Sequence, residues 1–167
     1  MSPPNEVVID DIDELESLLA RAYWIESEFE NVVQWEAYAS VDDKYKDLLF
    51  ELSHESEGHK ADLKELISNI KGLDFKTVKE DSRARDKAQF EKQTKDVKIL
   101  YEVYKNDKLA FDLYQKIHSN TSKELIKDVW EGLDSDEFFE ILSNLIQEEK
   151  RHTARLKKYA QKFDPFI

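Results

Sequence analysis

Leu145-Ile-Gln-Glu-Glu-Lys-Arg-His-Thr-Ala-Arg-Leu156 is the stretch from which the rest of the chain is best read. Wound as a helix at about 100° per residue, it sets Glu149 and His152 on the face that carries Leu142, Leu145, Ile146 and Leu156. An apolar stripe of this kind faces a core. An ionisable pair carried inward on it costs free energy unless a hydrogen-bond network, an opposite charge or a metal ion compensates it.

The totals agree with a helical reading. Three Gly and three Pro in 167 residues, with 37% charged residues and many Leu, Lys and Glu, predict long helices with few turns, hence an all-α chain. The length suits one domain over residues 1–167, with residues 1–8, which include Pro3-Pro4, as a loose N-terminus. A formal net charge of -12 repels phosphate and argues against a nucleic-acid partner, while cations are favoured company. Without cysteine there is no disulfide, thiolate zinc site, iron–sulfur cluster or haem attachment, so any metal must sit on oxygen and imidazole. No apolar run approaches the roughly 20 residues of a membrane span, and Val7-Val8-Ile9 is too short for the apolar region of a signal peptide. The expectation is a cytoplasmic protein with no membrane partner.

From about Ile9 to Ala39, the residues Leu15, Leu18, Leu19, Ala22, Ile25, Phe29, Val32 and Val33 recur at three and four, predicting one long amphipathic helix. Ser40-Val41-Asp42-Asp43 supplies a capped, tight connection to a second helix marked by Tyr45, Leu48, Leu49, Leu52, Leu63, Leu66 and Ile70 and ending at Gly72. So short a turn makes the two antiparallel neighbours. Leu73 to Asp81 reads as a loop, and Ser82 as the N-cap of a third helix running to about His118. The charged early half of that helix is a solvated face or an arm for another subunit, and Val97 onward faces the core. Thr121-Ser-Lys-Glu124 is a capping box for a short helix that Gly132 stops, and Asp134-Ser-Asp-Glu137 is a second box that opens the last long helix. Lys157, Lys158 and Lys162 near its carbonyl end are favoured by the helix dipole and read as structural.

Glu149 and His152 have the i, i+3 spacing by which di-iron and di-manganese four-helix bundles present two ligands inward. Chance produces this spacing in helices rich in Glu and His, so the rest of the chain must be asked for support. Laying the second helix over the fourth with His59 on His152 also places Leu48, Leu49 and Leu52 on Ile141, Leu142 and Leu145. Ala61, Leu63 and Leu66 then fall on Ala154, Leu156 and Tyr159. Shared helical period explains part of this match but not the coincident histidines. A looser match of the first helix with the third puts Glu28 on Asp107 and Trp35 on Tyr114. The two registers differ by fourteen residues, about the length of the short helix between helices three and four. Two helical hairpins, the second with the longer connection, account for this.

These residues resemble the ferritin-like superfamily, and within it the rubrerythrin type, whose hairpins each give a Glu from one helix and Glu-x-x-His from the next. The resemblance spans about residues 10 to 163 and implies a four-helix bundle with a carboxylate-bridged pair of metal ions. It carries the metal-ligand set onto Glu28, Glu55, His59, Asp107, Glu149 and His152. Two positions depart: Asp107 stands where the family has Glu, and Ser56 where the second Glu-x-x-His needs its Glu. Either Glu55, four residues before His59, stands in for that Glu, or half of the site is lost. The cysteine-held iron site of the rubrerythrin electron-transfer module is missing.

Asp107 lies on the stripe of Leu100, Val103, Phe111 and Tyr114, so its carboxylate needs a partner: a metal, Tyr104 or Tyr23, or an ion pair. On helix one Glu26 and Glu36 also border apolar stripes, and only the resemblance prefers Glu28. His54 is turned roughly 140° from His59, which makes Glu51-x-x-His54 a decoy on the surface. His118 sits near a helix end, and the tryptophans and tyrosines are core aromatics first. Two functions are expected from different classes. One is a protein holding one or two iron or manganese ions for ferrous-iron oxidation or peroxide reduction, with weaker binding beside His59; the other is a metal-free bundle serving as a structural or interaction module. A homodimer is expected from the charged start of helix three and the apolar end Phe166-Ile167.

Overall fold

The computed structural model describes residues 8–83 and 96–167, apart from the side chains of residues 28–34, 36, 81–83 and 97. Its elements in chain order are α1 (Ile12–Trp24), a π-helical segment (Ile25–Glu30), α2 (Asn31–Ser40), α3 (Asp43–Ser68), α4 (Phe75–Arg83), α5 (Asp96–Asn120), α6 (Lys123–Val129) and α7 (Asp136–Ala160). The described residues are thus helical, as composition and period predict, and hold no β-strand beyond two isolated bridges.

Those bridges fix the topology. At one end of the molecule Ile9 donates its N–H to the carbonyl of Asn120 at 2.7 Å, and Lys71 donates to Val129 at 2.7 Å. The start of α1, the end of α3 and the end of α5 therefore meet there. At the other end, the N–H of Asp42, in the turn between α2 and α3, donates to the carboxylate of Asp96 at the start of α5. Consequently the helix formed by α1, the π segment and α2 runs one way, α3 and α5 run the other, and α7 returns. The link between α3 and α5 carries the chain from one end to the other. α4, packed against α1 through Phe75 on Tyr23, belongs to that link. The first helix touches α3 and α5, and α7 touches α3 and α5, giving a square of four long helices.

Several boundaries differ from the sequence expectation. Helix one is not one α-helix but is interrupted by the π segment, where the wider i→i+5 turn takes in an extra residue and rotates the faces that follow. Leu73 to Asp81 is not a loop: Asp74 accepts from Lys76 and Thr77 and opens α4, whose buried Val78 and half-buried Phe75 join the core. Ser82 lies inside α4 and caps nothing. The third long helix is described from Asp96, and the segment 84–95 lies outside the described residues. Ser122, not Thr121, caps α6 by accepting from the N–H of Leu125 at 3.3 Å. Thr121 instead bonds back to the carbonyl of Ile117. The second capping box is present, with the Glu137 carboxylate accepting from the N–H of Asp134 at 3.0 Å and Asp134 accepting from Asp136 at 2.9 Å. Gly132 is held tight, because a Cβ there would sit 2.5 Å from the Trp130 indole nitrogen.

The core is split. Leu15, Leu19, Ile25, Leu63, Leu66, Tyr114, Phe138, Leu142 and Leu145 belong to one apolar cluster, toward the end where the bridges lie. Ala37, Tyr45, Leu49, Leu52, Leu100, Val103 and Leu156 form a second, toward the other. Each fully buried Leu contributes about 1.5–3 kcal/mol relative to exposure, so two such clusters can carry a costly polar layer between them. That layer exists. On each long helix a fully buried charged residue falls where the chain passes between the clusters: Glu26, His59, Asp107, and Glu149 with His152. The pairing of the second and fourth helices is realised in the packing, since Leu49 and Leu142, Leu52 and Leu145, and Leu63 and Leu156 are all fully buried.

The expectation of a second copy rests on the charged segment before Val97, most of which lies outside the described residues, and on Phe166, which is exposed. Among the described residues no helix is long and apolar enough to cross a membrane.

Candidate metal centre

Each element of the polar layer is placed by simple periodicity. His59 follows Leu52 by seven residues on α3, Asp107 follows Val103 and precedes Ala110 on α5, and Glu149 follows Leu145 on α7. All three therefore ride the stripe that points inward. Glu26 reaches the same level from the π segment. Such segments occur often at functional sites because they re-aim a side chain without ending the helix.

Ligand-type atoms converge in two groups, Glu26 with His59 and Glu149, and Asp107 with Glu149 and His152. Within each group the atoms lie within 4.8 Å of one another. Glu149 is common to both. One of its oxygens stands 2.9 Å from Nδ1 of His59 and the other 3.7 Å from Nδ1 of His152, so a single carboxylate spans the pair. The two imidazole rings stack with centroids 5.5 Å apart and an interplanar angle of 25°. Oε1 of Glu26 lies 3.3 Å from Nδ1 of His59 and accepts a 2.6 Å hydrogen bond from the Tyr114 hydroxyl.

The outer face of each ring is fixed by an exchange between the hairpins. Nε2 of His59, on α3, contacts the carboxylate of Glu148 on α7; Nε2 of His152, on α7, contacts that of Glu55 on α3. A carboxylate only accepts, so both rings carry their proton on Nε2 and turn Nδ1 inward, toward the other carboxylates. This is the arrangement by which metal-binding histidines are oriented. Arg151 donates to the second oxygen of Glu55 at 3.2 Å and keeps that carboxylate in place.

Among the buried atoms, Nδ1 of both histidines and both oxygens of Glu149 have no hydrogen-bond partner. Buried polar atoms are ordinarily satisfied, and four such orphans converging at one level are what a ligand set for cations would leave. Burial alone would drive the His59 imidazole toward its neutral form, but the charge of Glu26 and the contacts of Glu148 and Glu149 outweigh it and hold its pKa well above the usual value. Burial likewise pulls His152 down, while Glu149, Asp107 and Glu55 push it up to about 9. The hydrogen bond from His59 lowers the pKa of Glu148. Burial raises Asp62, one turn beyond His59, helped by the negative charge of Glu148, Glu65 and Glu26.

The structure thus brings together His59, Asp107, Glu149 and His152 of the residues expected from sequence. Glu55 stands at the outer nitrogen of His152, not among the inner atoms. The side chains of Glu28 and Glu36 lie outside the described residues, and Glu26 is the helix-one carboxylate found in the cluster. His54 is exposed, in keeping with its reading as a decoy. Sequence reasoning passed over Glu148 and Arg151. The signal for Glu148 was present, because each histidine has a Glu four residues before it, Glu55 for His59 and Glu148 for His152. In comparisons with known proteins, no family model, no curated protein and no solved structure matches the chain.

Proposed function

We propose that this chain is a ferritin-like metal protein of the rubrerythrin type, holding one or two iron or manganese ions at mid-bundle. The observation that carries the reading is the sharing of Glu149 between two buried ligand groups that each include one histidine and one further carboxylate. Two helix hairpins joined by a single end-to-end connection support it, since this is the connectivity of ferritin-like bundles. One position comprises Asp107, Glu149 and His152; the other comprises Glu26, Glu149 and His59, and lacks the carboxylate that Ser56 replaces. The second is the weaker position. Oxygen and imidazole donors suit iron and manganese, and a bound pair of such ions supplies two-electron chemistry with oxygen or peroxide.

The chain's own residues would do the following. Glu148 and Glu55 hold the imidazoles in the tautomer that offers Nδ1, Arg151 anchors Glu55, and Tyr114 holds Glu26 by its hydroxyl. Leu52, Leu100, Val103 and Leu145, all fully buried, close the layer above and below and exclude bulk water. The reaction class proposed is ferrous-iron oxidation or peroxide reduction.

Elemental analysis of protein grown with iron and manganese tests the reading, together with a Glu149→Ala variant. Bound metal in the wild type and none in the variant is the expected pair of results. A wild type that is metal-free and also refuses added ferrous ion favours the other class, a bundle whose two imidazoliums are simply neutralised by their carboxylates and whose role is structural.

A further inference from the structure

The inner carboxylates do not balance two divalent ions. Glu26, Asp107 and Glu149, each fully buried, supply three negative charges, while Glu55 and Glu148 are engaged at the outer imidazole nitrogens and Glu55 also at Arg151. One divalent ion with one remaining imidazolium neutralises the three. Two ions require both Nδ1 atoms as lone pairs, and then one positive charge is left over in a layer closed to water. A buried charge without a counter-charge is strongly disfavoured. The second ion therefore needs an anion to enter with it.

The place for that anion is marked on α3. Ser56 holds the position equivalent to Glu149 when the two histidines are superposed, and it is fully buried with a side chain far shorter than Glu. One turn earlier on the same face, Ser53 is also fully buried, and its hydroxyl has no hydrogen-bond partner. A buried hydroxyl left unpaired is costly, and a carboxylate oxygen would satisfy it. Two small hydroxyl residues in successive turns, beside two histidines whose inner nitrogens are also unpaired, make a pocket of donors and prospective cations that lacks one carboxylate.

We propose that a small carboxylate-like monoanion, of the size of formate or bicarbonate, binds on the Ser53 and Ser56 side of the polar layer and takes the role of the absent bridging carboxylate. It binds jointly with the second divalent ion. This inference rests on the metal centre proposed above. By linkage, the anion must raise the affinity for the second ion by the factor by which that ion raises the affinity for the anion.

The test is a titration of the metal-free full chain with Mn2+ in a non-coordinating buffer from which bicarbonate has been removed, with and without formate. Without formate one Mn2+ per chain is expected; with it two, the second bound at least about tenfold more tightly than in its absence. The 13C line of labelled formate should broaden only once the second equivalent is present. Ser56→Glu supplies the carboxylate from the chain and should bind two ions with no response to formate. Ser53→Ala, which removes only one donor, should weaken the formate effect roughly five- to tenfold and keeps the proposal testable if the glutamate variant fails to fold. Two ions bound equally well without formate would overturn the proposal, with hydroxide or a swung-in Glu55 as the fourth charge. A single ion whatever the formate concentration would overturn it too, while leaving the metal centre standing. Only binding of no ion under any condition would remove the centre itself.

Discussion

Loading the metal-free protein must expel protons, and the structure says how many and over what pH range. In the empty layer the His152 imidazole is pushed up to about 9, and His59 is held higher still. At pH 7.5 a group with that pKa is roughly 97% protonated, and at pH 10 roughly 10%. A divalent ion takes the Nδ1 lone pair, so an ion in the His152 position should release about one proton at pH 7.5 and about a tenth of one at pH 10. Its apparent affinity should rise about tenfold per pH unit up to pH 9 and then level off. Stability follows with a definite sign. A folded-state pKa above the unfolded one stabilises fully below the unfolded value and is lost as pH rises through the folded value. For His152, fully buried, a rise from 6.5 to about 9 corresponds to something on the order of 3 kcal/mol. The metal-free protein should therefore lose roughly 6–12 °C in Tm between pH 7 and pH 10, while the loaded protein, whose imidazole holds no Nδ1 proton, should not share that loss. Calorimetric titration with Mn2+ in buffers of different ionisation enthalpy counts the protons, and melting curves with and without a chelator give the rest. Ion binding with no proton release at pH 7.5, or with an affinity flat from pH 7 to 9, would refute the reasoning.

Glu55→Gln keeps an acceptor at Nε2 of His152 but removes the charge that orients it, and should weaken metal binding at that position about 10- to 100-fold, read by competition with a chelator of known affinity. Tyr114→Phe deletes a buried 2.6 Å hydrogen bond to a carboxylate; it should destabilise the metal-free protein by about 1.5–3 kcal/mol in urea unfolding. Leu142→Ala opens the larger apolar cluster at a fully buried position and should cost about 2–5 kcal/mol in the same assay. Its effect on metal stoichiometry should be nil as long as the protein is folded, which separates support of the fold from the site.

The histidines, Asp107 and Glu149 were legible because their signal is the one that periodicity reads best: an ionisable residue at a position where seven-residue spacing from a leucine demands an apolar one. Helix types and the two hairpins followed from the same stripes. Three things did not follow. The π segment is invisible to a 3.6-residue period, and by adding a residue to one turn it changes which glutamate of helix one reaches the layer. Glu26, Glu28 and Glu36 therefore stayed undecided in sequence, and the cluster contains Glu26. The helix α4 was hidden by its few apolar residues, since Phe75 and Val78 are set among charges that suit a loop equally well. The exchange of Glu55 and Glu148 between hairpins is a tertiary fact, because a residue four before a histidine on one helix reads as a ligand of its own metal until the partner helix is in place.

Position within the bundle explains why so acidic a layer is tolerated. Three buried carboxylates would repel one another, and the two imidazoliums among them offset that repulsion only in part. What holds the layer together is the pair of apolar clusters above and below it, which pack the same four helices whether or not the middle is neutral. A layer so placed can exchange protons for cations without unfolding the ends, and the cation then stabilises the folded chain in proportion to its occupancy. Ser56 sharpens this, since a glutamate there would put one more negative charge into the metal-free state and destabilise it further. The short side chain lets the empty protein stand with its charges more nearly balanced. It also leaves the second cation dependent on what else enters the layer.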